Sequence, residues 1–431
     1  MLRQNASGSL DSFLSQVPSL FLMSLIVIGL TLLNALFNSL ASSVGLGYPY
    51  STFLFKPWDV FGDLFKMALS YPGPPLPPST QLSPLFVGHA SSGGISNLNA
   101  PPLIALIYIL VRYALTEIEP FAVLAIVVGA WVAPLGLLIF THCRSRFLAA
   151  TVLCALLISY PALLAITRGN VGAGVTAVAL ITAITLTHTR KAPLIAAMMI
   201  AIAINTRPNA IVFVLLPFIA CKPREAIKYA AFSLALSILI AIVSFFAVHA
   251  LYAAYTLSSF SRAIGLYYVV YVIGDWGWAY GSSFFGLAKA VVRFFQCDCD
   301  LGTINRAIAL TWGGTLLIAA ALFKCRRIGE RDLIFVLCAV YTLASSVFAD
   351  YHLIVFFCFF LIYANFGNVA WGQLPPADKV ILICAALMLA PKNYVFFQGW
   401  VSAQVLMNPI ILAIGVVLVM VISIRKHTFA S

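Results

Sequence analysis

The chain has 431 residues, of which 62% are hydrophobic and 9% charged, and its mean hydropathy is +1.02. A soluble domain is near half apolar and about a quarter charged, so a water-soluble globular protein is excluded. The formal net charge of +12 would suggest nucleic acid in a soluble protein. Here, however, Lys and Arg stand in short clusters between apolar runs, the pattern that orients a polytopic membrane protein, and no nucleic-acid partner is expected.

A helix needs about 20 apolar residues to cross the hydrocarbon. Runs with little or no charge fall at 18–40, 120–141, 147–167, 171–187, 193–206 and 210–220. They continue at 229–250, 308–323, 333–349, 353–370, 380–390 and 407–424. These runs predict an all-α polytopic transmembrane bundle, one integral-membrane domain over 1–431 with about twelve spans, several of them short. The first run is too long for a cleaved signal and lacks a polar cleavage region. The nine cysteines show no paired spacing, so no disulfide framework is expected, and Cys297-Asp298-Cys299-Asp300 reads as an ordinary loop.

The basic clusters at 144/146, 190/191, 222/224/228, 324/326/327/331 and 425/426 fall on one side of such a bundle, provided 101–115 does not cross. That segment spans about 23 Å as a helix and reads as a surface or re-entrant helix of a long first extracytoplasmic loop, 41–117. A second long extracytoplasmic segment covers 251–305. Both chain ends are then cytoplasmic, in a multi-pass protein of the plasma or inner membrane.

Ionisable groups near a membrane are costly and count as functional candidates. Asp59 and Asp63 are four apart, on one face of any helix they share, and either carboxylate suits a general base. The plainer alternative is a surface helix in which Asp63 pairs with Lys66. Arg168-Gly169-Asn170 forms a tight outer turn. Arg207-Pro208-Asn209 forms another, between runs that reach only about 21 and 16 Å. As a hairpin they would leave Arg207 recessed, where an arginine needs an anion or a water-filled cavity. Arg168 and Arg207 suit a phosphate held bidentately; interfacial arginines that snorkel to lipid headgroups are the alternative. Asp350-Tyr351-His352 is a third outer turn, in which His352 suits phosphate binding or proton relay. Trp276, Trp278 and Tyr280 suit stacking on a sugar, or an interfacial aromatic belt.

In this order the segments resemble the polytopic GT-C glycosyltransferases, in particular the family 87 group of polyprenyl-phosphate-mannose-dependent mannosyltransferases. Phe61-Gly62-Asp63-Leu64-Phe65, Asn99-Ala100-Pro101-Pro102-Leu103, Arg168-Gly169-Asn170 and Asn205-Thr206-Arg207-Pro208 carry the resemblance, with Tyr351-His352 as a weaker match. Arg207 stands where that family has lysine, and a proline-rich stretch at 72–78 replaces a short Gly-x-x-x-Tyr ending.

The resemblance implies a multi-pass, GT-C-like fold and transfer of a mannose or similar sugar from a polyprenyl-phosphate donor to a glycan or glycolipid acceptor. The reaction would take place at the extracytoplasmic face, with inversion. Asp63 would serve as base, with Asp59 as the fallback. Arg168, Asn170, Arg207, Tyr351 and His352 would bind substrate. No metal-ligand spacing is present and no cofactor is assigned, with a divalent cation left open. The competing readings are a secondary transporter or lipid-linked-sugar flippase, which would show paired broken helices and internal repeats, and a non-catalytic scaffold of envelope polysaccharide assembly.

Overall fold

The apolar runs resolve into helices wherever a cap or a proline closes them. The computed structural model describes residues 17–47, 49–50, 61–71, 73, 100–274, 281–364, 369–397 and 401–428. Among these are seventeen α-helices. The first half of the chain forms α1 (Ser19–Ser43), α2 (Gly62–Leu69), α3 (Pro102–Glu117), α4 (Pro120–His142), α5 (Arg146–Ile158), α6 (Tyr160–Arg168), α7 (Val171–His188), α8 (Pro193–Thr206), α9 (Pro217–Ala220) and α10 (Pro223–Leu251). The second half forms α11 (Leu257–Tyr267), α12 (Phe284–Phe294), α13 (Leu301–Lys324), α14 (Glu330–Leu343), α15 (Cys358–Ala364), α16 (Pro376–Leu389) and α17 (Gln404–Thr428). A two-stranded hairpin, Phe396–Phe397 with Val401–Ser402, precedes α17.

Among the described residues, six helices are long and apolar enough to cross a membrane: α1, α4, α7, α10, α13 and most of α17. The pair α5 and α6, bent by 56°, makes a seventh if counted as one span. The bend lies at Ser159, whose extended backbone precedes Pro161 in the first turn of α6, and a proline cannot continue the hydrogen-bond ladder of the preceding helix. These spans are fewer than the apolar runs, and length explains the difference. α8, α14 and α16 have 14 residues each, about 21 Å at helical rise. The run at 353–370 falls on a 3-10 helix, Asp350–Phe357, and the seven residues of α15.

Burial divides these elements further. Every residue from Asp332 to Leu343 is buried, as is every residue from His352 to Ala364. A segment apolar on all sides belongs to an interior, and these two form the centre of the bundle. At the other extreme, α10 and α13 carry Ile238, Phe246, Leu310 and Leu317 well exposed. Contiguous exposed apolar surface of that kind suits lipid rather than water.

α7 is the axis on which the rest is placed. It packs against α4 and α8, and α8 packs in turn against α10. Arg190 and Ala192, both at positive φ, turn the chain from α7 into α8. The helix then breaks at Arg207 (φ −148°, ψ 102°) and returns through the 3-10 helix Pro208–Leu215 and α9. Pro217 and Cys221 line the same small cavity as Thr187, Arg190 and Pro193, so 193–220 is a hairpin with Arg207 at its tip. The short runs on either side of Arg207 predict this arrangement.

Candidate functional site

One turn serves two helices at the start of α7. Gly169, at φ +64°, ends α6 in the left-handed conformation that favours glycine. Its N–H donates to the Ile166 carbonyl and that of Asn170 to the Ala165 carbonyl, both at 3.0 Å. Asn170 then caps α7, its Oδ1 accepting from the Ala173 N–H at 2.7 Å. The cap requires the amide oxygen, so the Nδ2 end is turned outward, where it donates to Asp63 Oδ2 at 2.8 Å. The Arg168 guanidinium donates to Asp63 Oδ1. The carboxylate is thereby gripped on both oxygens by residues more than a hundred positions away in sequence.

Close packing fixes the carboxylate's own helix. Phe61, in the left-handed region at φ 58°, opens α2 and donates its N–H to the Thr167 carbonyl at 2.6 Å. A Cβ on Gly169 would come within 2.7 Å of Leu64 Cβ, so only glycine lets α2 approach the turn this closely. Asp63 belongs to the first turn of α2, where a carboxylate is favoured by the helix dipole. The side chains of Asp63 and Arg168 are 18% and 17% exposed. The alternative pairing of Asp63 with Lys66 is therefore not the arrangement found.

Beside this grip lies a cavity of about 680 Å³. Asn170, Arg207, Tyr351 and His352 line it, as do Met67 from α2, the helix that carries Asp63, and Tyr108 from α3. Asp63 and Arg168 are not among its lining residues; Asn170, which donates to Asp63, links the grip to the cavity. Tyr351 couples the groups electrostatically, since its phenol feels the charges of Asp63, Arg207 and Arg168. Apolar and aromatic lining comes from Phe260, Ile264, Tyr267 and Val272, on α11 and the π-helix Tyr268–Ile273 that continues it.

Arg207 reaches across the cavity from the hairpin tip. Its guanidinium donates to the Val347 carbonyl at 2.5 Å and lies over the Phe348 ring at 5.7 Å. His352 packs edge-on against Tyr351, with ring centroids 4.7 Å apart, and its Nδ1 is buried without a hydrogen-bond partner. Burial, reinforced by the charge of Arg207, holds the His352 imidazole well below its ordinary value and therefore neutral. Thr206 and Thr176 share a hydrogen bond at 2.8 Å, and Asn209 donates to Ser345. Together they lock the tip between α7 and the segment after α14.

The structure thus brings together Asp63, Arg168 and Asn170 as one group, and Asn170, Arg207, Tyr351 and His352 as the lining of one cavity. Asp59, the proline-rich stretch apart from Gly73, and Trp276, Trp278 and Tyr280 lie outside the described residues. Tyr108 and Tyr267 carry no functional signal in the sequence, because a tyrosine in an apolar helix reads as packing. Asn209 stands two positions beyond Arg207 and was visible as part of the same turn. Among the described residues no three His, Cys, Asp or Glu side chains cluster as a metal would require. The chain matches no family profile, no curated protein and no solved structure.

Proposed function

We propose that this chain is an integral-membrane glycosyltransferase of the GT-C kind, moving a sugar from a polyprenyl-phosphate donor to an acceptor hydroxyl with inversion. The observation that carries the reading is the carboxylate of Asp63, held by Arg168 and by Asn170, which itself lines a cavity together with Arg207 and His352. A carboxylate has about four lone-pair positions. Arg168 and Asn170 occupy one on each oxygen, which leaves one on each for an acceptor hydroxyl. Asp63 takes the acceptor O–H proton as the new bond forms between the acceptor oxygen and the anomeric carbon. The bond from that carbon to the phosphate oxygen breaks, and its electron pair leaves on the polyprenyl phosphate. Arg207 meets the charge that develops there, and His352 supplies the nitrogen that has no partner within the chain.

This division of labour differs from the one read in the sequence, where both arginines bind phosphate. Arg168 is engaged with Asp63 and serves to aim the base. Arg207 is left for the leaving group. The apolar wall suits the isoprenoid chain, and the polar end suits the phosphate and sugar. An extracytoplasmic cavity in a multi-pass protein is supported by the basic pair Arg190 and Lys191, which follows the other end of α7.

The test is transfer in proteoliposomes from a labelled polyprenyl-phosphate mannose to an endogenous lipid extract as acceptor. Asp63→Asn keeps the shape and removes the base, so product formation falls by about 10²–10⁴-fold, the contribution of a general base. Undiminished transfer would remove Asp63 from the mechanism. Movement of the labelled lipid between leaflets, without any covalent product from the wild type, would favour the flippase instead.

A further inference from the structure

Behind the cavity lies a second buried carboxylate that the reaction above does not use. Asp350 is 5% exposed. Its Oδ1 accepts from the Ser282 hydroxyl and its Oδ2 from the Gln404 side-chain amide. Each partner is itself held. Asn408 donates to Ser282 Oγ at 2.8 Å, and the Lys392 backbone N–H donates to Gln404 Oε1 at 2.9 Å. The Lys392 ammonium turns back onto the Leu387 and Ala390 carbonyls at the end of α16. The backbone repeats the attachment, since the Ser282 N–H donates to the Phe348 carbonyl at 2.8 Å and Gly281 bridges to Ala349.

All of this fastens one short segment, 346–352. Its cavity side consists of Ser346, Val347, Tyr351 and His352, and its Val347 carbonyl is the acceptor that fixes Arg207. Its other side is Asp350. We propose that Asp350 is a positioning residue: by tying 346–352 to the starts of α12 and α17, its carboxylate holds Arg207, Tyr351 and His352 in the arrangement that receives a lipid-linked phosphate.

The cost of this carboxylate argues against a purely stabilising role. Burial raises Asp350 from its ordinary 3.8 to about 6, even though Ser282, Gln404 and the charge of Lys392 oppose the shift. Burial likewise lowers Lys392 to about 7, with Asp350 opposing. A carboxyl whose folded value lies above its unfolded one gives most stability in acid, and that stability is lost as pH rises through about 6. Near neutral pH the ionised Asp350 is therefore a burden on the fold, of the kind that sites retain for geometry.

The inference rests on the lipid-phosphate reading of the cavity, and the experiment separates the two. Purified full-length protein is titrated with farnesyl phosphate, and binding is followed by tryptophan fluorescence for the wild type, Asp350→Asn, His352→Ala and the double variant. Asp350→Asn should weaken binding about tenfold, the loss of one charge-assisted hydrogen bond, without lowering the melting temperature at pH 7.5. In the His352→Ala background it should cost less than it does alone, because part of its action passes through His352. Equal affinity for wild type and Asp350→Asn, or full additivity with His352→Ala, overturns the positioning role while leaving the cavity's ligand intact. No saturable binding by the wild type overturns the lipid-phosphate reading and this inference with it. Should Asp350→Asn fail to fold, Ser282→Ala and Gln404→Leu each remove one grip and keep the carboxylate. Each should weaken binding several-fold, and unchanged affinity in both would sink the proposal.

Discussion

The two ends of α7 each carry an arginine paired with a carboxylate, and the pairs are built differently. At the N-terminal end Arg168 meets Asp63 with both side chains more than four-fifths buried, and Asn170 completes the grip. At the C-terminal end Arg190 meets Glu330, the arginine 64% and the glutamate 30% exposed. The first pair adjoins the large cavity. The second borders a smaller one of about 300 Å³ lined by His188, Glu330, Arg331, Asp378 and Lys426. Exposed pairs contribute about 0–1 kcal/mol, whereas a buried pair costs desolvation that its own attraction barely repays. An ion pair at the second end needs no explanation beyond charge placement. One at the first, with a second donor and a glycine that lets two helices touch, implies that the carboxylate's direction matters.

The largest effect should follow from breaking the buried pair. Arg168→Ala leaves Asp63 with Asn170 as its remaining named donor. Transfer in the proteoliposome assay should fall by about 10²-fold or more, as expected when a catalytic group is misplaced by an ångström or so. The fold should lose about 1.5–3 kcal/mol, the worth of a hydrogen bond to a charged group. Arg168→Lys keeps the charge but not the planar fork, and should recover stability better than rate. Full rate in Arg168→Ala would mean that the grip on Asp63 is only structural.

A finer cut uses the two ends of the Asn170 amide. Asn170→Asp preserves the cap, since aspartate accepts from the Ala173 N–H as well as asparagine does, but it sets a second carboxylate against Asp63. Asn170→Ala loses both contacts without adding repulsion and should cost about 1 kcal/mol of stability for the cap. If aiming the carboxylate is what counts, Asn170→Asp should be the slower enzyme even where thermal melting shows it to be the better-capped one. The reverse order of rates would place the importance of Asn170 in the helix start alone.

Most of the bundle was legible in the sequence because apolar runs and prolines act locally. The short runs around Arg207 left a hairpin or a kinked helix, with the sidedness of the basic clusters favouring the hairpin, and the turn at 168–170 followed from an arginine, a glycine and an asparagine between two apolar helices. What could not be read was which carboxylate each arginine meets. Arg168 finds Asp63 across 105 positions, and nothing near either residue favours that pairing over a phosphate. The role of Asp350 is hidden for the same reason. In sequence it is one more charged residue in an outer turn, and only Ser282 and Gln404, 68 and 54 positions away, make it a buried anchor. The excess of apolar runs over helices long enough to cross a membrane has a different origin: hydropathy registers that a segment avoids water, but not whether lipid or other helices surround it. α14, with its twelve consecutive buried residues from Asp332 to Leu343, is surrounded by protein.

The smallest effect should come from the far end of α7, and its smallness is the control on the whole comparison. Arg190→Ala removes the exposed partner of Glu330, but His188 lies 3.9 Å from the same carboxylate, and Glu330 keeps the favourable position of an acid in the first turn of α14. The variant should therefore melt within about 0.5–1 kcal/mol of the wild type and transfer sugar at an unchanged rate. Raising the salt concentration should shrink even that difference, because exposed charges are screened over about 8–10 Å, while leaving the deficit of Arg168→Ala largely in place. A rate loss in Arg190→Ala comparable with that of Arg168→Ala would mean that the two ends of α7 are coupled through the helix, and that burial is the wrong measure of which pair matters.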